Sequence, residues 1–212
     1  MAAERATTGR TGNATARRIV EAALETLSVA GIRDFTMRGI AKRAGVRLSG
    51  VQYYFPTMEA LVLALIDHVV QRYRDAYAAA LTGETDAAAR LKAVIAFNLS
   101  DIAREDTRRL FVNLWPLLET QADYSGSLTL KLYAPQFALL GERILDLRPG
   151  IGADEARRRA ELISAVIEGL FVTLPPTAES NGDIAHLQDR VIALCLAIAT
   201  GDAGVSQARA AR

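Results

Sequence analysis

Residues Thr36–Phe55, TMRGIAKRAGVRLSGVQYYF, decide the fold. Met37, Ile40, Ala41 and Ala44 fall at i, i+3, i+4 and i+7, which is one apolar face of a short helix. Thr36 stands where an N-cap belongs, its hydroxyl free to accept an orphan amide of the first turn. Gly45 follows the last periodic residue, where a left-handed residue ends a helix without Cβ strain. A second short helix puts Leu48, Val51 and Phe55 on its buried side. It must stop before Pro56, because the residue preceding a proline is pushed out of the α region. Two short helices joined by a tight glycine turn make a helix-turn-helix, whose second helix can enter the DNA major groove.

At these residues the chain resembles the TetR family of one-component transcription regulators. The family signature reads roughly T-x-x-x-I-A-x-x-A-G-V-S-x-G-x-x-Y-x-Y/H-F-x-x-K-x-x-L. Thr36, Ile40, Ala41, Ala44, Gly45, Val46, Tyr54, Phe55 and Leu61 match it in register. Arg47 stands in place of the usual Ser, Ser49 of Gly, Gln52 of Tyr and Met58 of Lys; the last two are places where the family often touches phosphate. The resemblance implies an all-α protein with a three-helix head and a helical ligand-binding and dimerisation body, about nine helices in all. It also implies repression, in which a homodimer holds an operator until a small ligand enters the body.

Working outward, the charge is uneven. Residues 1–56 carry nine Lys/Arg against four Asp/Glu, while residues 57–212 carry sixteen against twenty. A basic head on an acidic body is the asymmetry expected when only the head meets nucleic acid. Half the residues are apolar and 23% are charged, enough for a sizeable core. The single cysteine, Cys195, excludes an internal disulfide and sits in an apolar run as a buried small hydrophobe. The N-terminus has no apolar secretory core, and the run Val191–Gly201 is too short to span a bilayer, so a soluble cytoplasmic protein is expected.

The chain divides on this reading into a DNA-binding domain at 1–56, a ligand-binding and dimerisation domain at 57–202 and a flexible tail at 203–212. Residues 1–12 are expected to be mobile, with Arg5 and Arg10 available to reach phosphate or the minor groove. The first helix is expected from about Asn13 or Thr15 to Ala30, with Gly31 as its stop. It closes a head around Ile19, Phe35, Ile40, Val46, Val51 and Phe55. So small a head is marginal alone and must lean on the next helix. That helix starts after Thr57 and runs to about Leu81, long enough to join head to body as a lever. Further helices are expected at about 86–104, 106–120, 124–147, 154–174 and 183–200, with Pro116 and Pro135 inside two of them.

In the second helix of the motif, the side opposite Val51 carries Arg47, Ser49, Gly50, Gln52 and Tyr53. Arg47 can present a fork to guanine and Gln52 can bond adenine, while Gly50 lets the backbone approach a base edge. Tyr53 and Tyr54 suit phosphate or packing; Thr36 with the amides behind it suits a phosphate, beside Arg38 and Lys42. In the body, Phe97, Phe111, Trp115, Tyr133 and Phe137, with His68, Asn98 and Glu119 as polar groups, are the candidate pocket. Its ligand would be an organic cation or a neutral apolar molecule. The last two helices are apolar almost all round, which points to a two-fold dimer through Leu162, Val166, Ile167, Leu170, Val191, Leu194 and Ile198.

No catalytic constellation is present. His68 and His186 lie far apart, and Asp183 near His186 reads as a helix cap. No metal or cofactor is expected, and an enzyme built on the helical bundle would need a base pair the sequence does not offer. The remaining alternative is a helix-turn-helix protein whose body only dimerises.

Overall fold

The structure, a computed structural model, describes residues 2–120, 125–173 and 181–202. Nine α-helices follow one another: α1 (Ala2–Glu25), α2 (Met37–Ala44), α3 (Leu48–Tyr54), α4 (Met58–Ala80), α5 (Ala87–Ile102), α6 (Glu105–Thr120), α7 (Ser125–Leu147), α8 (Ala153–Thr173) and α9 (Asn181–Thr200). No strand occurs among the described residues. The all-helical reading holds.

The N-terminus departs from expectation. Residues 2–12 are helical, and α1 begins at Ala2 instead of near Asn13. Ala2, Ala3, Glu4, Arg5 and Ala6 are strong helix formers, and they outweigh Gly9 and Gly12. The other end widens into one π-type turn over Thr26–Ala30 before Gly31 reverses the chain at φ +83°. There the Gly31 amide donates to the Thr26 carbonyl at 2.8 Å. The tail at 203–212 and the Pro175-Pro176 segment lie outside the described residues.

The chain packs as two compact units, Met1–Gln71 with Asp106–Leu132, and Arg72–Glu105 with Tyr133–Arg212. The boundaries fall inside α4, after the first residue of α6 and inside α7. In the first unit Ile19, Ala23, Leu27, Phe35, Ile40, Ala41, Val51 and Phe55 are buried, while Val46 is half-buried. Leu61, Val62, Leu65 and Ile66 of α4 and Leu114 and Leu118 of α6 complete that unit's core. The head therefore leans on α4, as so small a bundle must, and shares its unit with α6 as well. Asn113 of α6 ties the two together: it accepts from the Ile32 amide at 3.0 Å and donates to the Leu27 carbonyl at 3.2 Å.

In the second unit Leu91, Val94, Ile95 and Leu99 of α5, Leu140 and Ile144 of α7, Ile163, Ile167 and Phe171 of α8 and Cys195 and Ala199 of α9 fill the core. Arg159 is buried on α8, where its guanidinium bonds Glu155 at 2.9 Å and the Ala199 carbonyl at 2.8 Å. An orphan carbonyl near the end of α9 is thereby satisfied by a charge of the right sign. Pro116 and Pro135 sit inside α6 and α7 without ending either helix. Among the described residues no single helix is long and apolar enough to cross a membrane.

Candidate nucleic-acid interface and effector site

The helix-turn-helix is built by its caps. Thr36 is extended at φ −129°, ψ 153°, and its hydroxyl accepts the Gly39 amide at 3.0 Å. At the other end Gly45 is left-handed at φ 63°, ψ 34°. Its amide donates to Lys42 at 3.3 Å and the Val46 amide to Ala41 at 3.0 Å, the paired bonds of a Schellman ending. Gly39 has a different role. A Cβ there would run into the Asp34 carbonyl oxygen and lie 3.1 Å from the Thr36 hydroxyl, so the turn into α2 needs a residue without one.

α3 begins after Arg47 and buries Val51, with Phe55 beyond its end and Leu48 half-buried. Its other side is open. Arg47, Ser49, Gln52 and Tyr53 are exposed, Tyr53 at 79%, and Tyr54 is half-buried with its ring edge-on to Tyr53 at 5.0 Å. Gly50 has room, since an added Cβ would meet Val46 only at 3.9 Å. On α2, Arg38 and Lys42 are exposed. Arg43 is engaged within the chain, its guanidinium 2.9 Å from the Glu25 carboxylate. A polar cleft of about 420 Å³ opens beside the start of α2, lined by Arg33, Thr36, Lys42 and Arg43 with Asp34 as its one acid. The structure thus places Thr36, Arg38 and Lys42 on α2 or its cap, and Arg47 to Tyr54 on α3 or its cap.

The residues expected to line an effector pocket divide between the units. His68, Phe111 and Trp115 belong to the first, where the Phe111 and Trp115 rings lie 6.4 Å apart, and His68 is half-buried. Phe97, Asn98, Tyr133 and Phe137 belong to the second. The Glu119 side chain lies outside the described residues, as do those of Asp183 and His186.

The second unit adds groups the sequence reading missed. Tyr73 and Tyr77 of α4 meet Phe97 edge-on at 6.2 and 5.2 Å. The Tyr73 hydroxyl donates to Asp101 at 2.5 Å and the Tyr77 hydroxyl to buried Asn98 at 2.9 Å. Burial and the Asp101 carboxylate hold both phenols well above the usual tyrosine range. Tyr133 stacks on Phe137 at 6.1 Å with 17° between the rings. Glu168 accepts a hydrogen bond from Tyr133, and burial pushes its carboxyl up to about 7. One signal could have exposed Glu168: a single carboxylate in the otherwise apolar run Ala165–Phe171. Cys195 is fully buried and its thiol is raised to about 11 by burial, which makes it inert.

Of the dimer candidates, Leu162 and Leu194 are exposed, and Val166 and Leu170 are half-buried. Ile167, Val191 and Ile198 are buried against their own chain and belong to the unit's core rather than its outer face. A helix apolar all round divides its surface this way, and only three-dimensional packing tells the two sides apart.

An all-helical chain with a capped helix-turn-helix and an exposed reading side on its second helix defines a DNA-binding regulator. The family model for bacterial regulatory proteins of the TetR family matches residues 19–65. The chain is 30% identical over 156 residues to the helix-turn-helix regulator BetI of Rhizobium meliloti, covering 73% of this chain and 74% of that protein. It is 29% identical over 190 residues to a helix-turn-helix regulator from the dhlA 5′ region of Xanthobacter autotrophicus, covering 87% and 91%. In fold it is similar to a Saccharomonospora viridis regulator solved with choline, at TM-score 0.66 and 20% identity over 84% of this chain and 94% of that one. The protein belongs to the TetR family of transcriptional regulators.

Proposed function

We propose that the protein acts as a homodimeric repressor that binds a near-palindromic operator and is released from it by a small organic ligand. The observation that carries the DNA half is the exposure of Arg47, Ser49, Gln52 and Tyr53 on a helix whose opposite side is buried. Those side chains suit base edges, with Arg47 on guanine and Gln52 on adenine. Thr36, Arg38, Lys42 and Tyr54 suit the flanking phosphates, and Gly50 suits close approach. In this reading residues 1–56 are the DNA-binding domain and 57–202 the effector and dimerisation domain.

Two-fold pairing is supported by the outer stripe of α8, where Leu162, Ala165, Val166, Gly169 and Thr173 follow helical spacing, and by Leu194, exposed on α9. Small residues there allow two helices to approach, and an apolar stripe in water needs a cover. A second copy presenting the same stripe supplies it and sets two reading heads on one DNA face.

Effector binding is assigned to the aromatic and polar groups of the second unit, Phe97, Asn98, Tyr133 and Phe137. A fold neighbour solved with choline shows that this architecture can hold a small ligand in at least one protein. The ligand must favour the conformation that does not bind DNA, by about 1–3 kcal/mol of coupling. Sequencing the genomic DNA fragments retained by the purified protein tests the reading. An inverted-repeat consensus is expected; retention of fragments without a shared sequence would overturn it. A thermal-shift screen then separates a ligand-responsive body from one that only dimerises.

A further inference from the structure

The polar cleft beside the start of α2 holds three cations, Arg33, Lys42 and Arg43, against one acid, Asp34. Thr36, Gly39 and Arg43 fall at i, i+3 and i+7 on one face of α2, and Gly39 leaves that face bare between the other two. Thr36 is exposed, and because its hydroxyl accepts the Gly39 amide its own proton remains to donate. Arg33 and Lys42 are exposed as well. Among the described residues Arg43 is the one cation of the three that forms an ion pair, its Nη1 lying 2.9 Å from Oε1 of Glu25.

Glu25 reaches Arg43 from the last position of α1 and does not line the cleft. The Glu25 side chain is 57% exposed and that of Arg43 29%. A pair so open to water is screened and adds little to the packing of α1 on α2. It does cover part of the cleft's positive charge with a carboxylate. A guanidinium offers a phosphate the same fork that it offers a carboxylate, so either anion can take that place on Arg43.

We infer that this cleft seats a phosphodiester of the DNA backbone, and that Arg43 gives up Glu25 for it when the head docks. Arg33 and Arg43 join Lys42 and the Thr36 hydroxyl around that one phosphate. Glu25 is then an internal competitor for DNA, lowering affinity without touching the duplex. The inference rests on the reading of the head as a DNA-binding domain and adds to it a phosphate seat and the residue that guards it.

Fluorescence anisotropy of the full-length protein on a labelled mixed-sequence DNA duplex, repeated over a salt series, tests it, because backbone contacts act on any sequence. Glu25→Gln should tighten binding about threefold at low salt, and the gain should vanish when Arg43→Gln is also present. Arg43→Gln alone should weaken binding about fivefold and flatten the salt slope by about 0.9 for each subunit bound. Arg33→Gln should act in the same direction, and gives a second reading should Arg43→Gln melt poorly. Equal tightening by Glu25→Gln with or without Arg43 would reduce Glu25 to a distant like charge and overturn the exchange. Inorganic phosphate at matched ionic strength should displace the duplex no better than chloride. Stronger displacement that disappears in Arg43→Gln would give the seat to a free anion and overturn the DNA assignment. If the parent binds the duplex and neither arginine variant changes affinity or slope, this inference fails and the regulator reading stands. A parent that binds no duplex at all would sink both.

Discussion

Two glycines of the reading head show how single residues separate folding from function. At Gly39 a methyl group meets the Asp34 carbonyl, whereas at Gly50 it meets only Val46 at 3.9 Å. Gly39→Ala should therefore destabilise the head by about 1–3 kcal/mol, seen as a lower melting temperature with parallel loss of DNA binding. Gly50→Ala should melt like the parent and weaken DNA affinity alone, because the added methyl stands between helix and base edge. A Gly50→Ala protein with unchanged affinity would remove that position from the interface. Glu168 makes a pH prediction. Its carboxyl rises from 4.5 to about 7 on folding, so the folded state holds the proton more tightly. The stability this contributes is complete below about 4.5 and is lost as pH climbs through about 7. Between pH 5.5 and 8 the melting temperature of the parent should fall more steeply than that of Glu168→Gln; parallel curves would show that Glu168 does not titrate in that range.

At the scale of elements, Asn113 of α6 bears directly on the head. Asn113 bonds the Leu27 carbonyl and the Ile32 amide on either side of the wide turn that ends α1, and it also donates to the Arg109 carbonyl at 2.7 Å. Gly31 lies against it, with space for a Cβ only 3.4 Å from the Asn113 oxygen. Asn113→Ala should loosen α1 against α2 at a cost of about 1–2 kcal/mol, and hydrogen exchange should quicken first at Gly31 to Phe35. Uniform exchange across the head would argue against a local clamp. α2 and α3 were legible in the sequence because apolar spacing, a Thr36 cap and Gly45 all agree with one another. The beginning of α1 was not, since Gly9 and Gly12 mask the helix-forming run before them. Asn113 gave no signal either: its partners are 81 and 86 positions away in the chain.

For the whole molecule, the proposed two-fold assembly turns on the outer stripe of α8 and α9. Leu162→Glu combined with Leu194→Glu places charges on exposed positions, where the single chain tolerates them, but buries them in a two-fold bundle. The double variant should sediment as a monomer at micromolar concentration and lose cooperative binding to an inverted repeat. A dimer unchanged in sedimentation would place the interface elsewhere. Sequence patterning determined the helical class, the register of the reading head and its family, because caps, glycine turns and apolar spacing act within a few residues of one another. Tertiary structure alone decided which side of α8 faces inward, with Ile167 in the core and Leu162 outside. It alone brought Tyr133 to Glu168, because a buried carboxylate acquires its chemistry from neighbours that are distant along the chain and meet it only once the helices have packed.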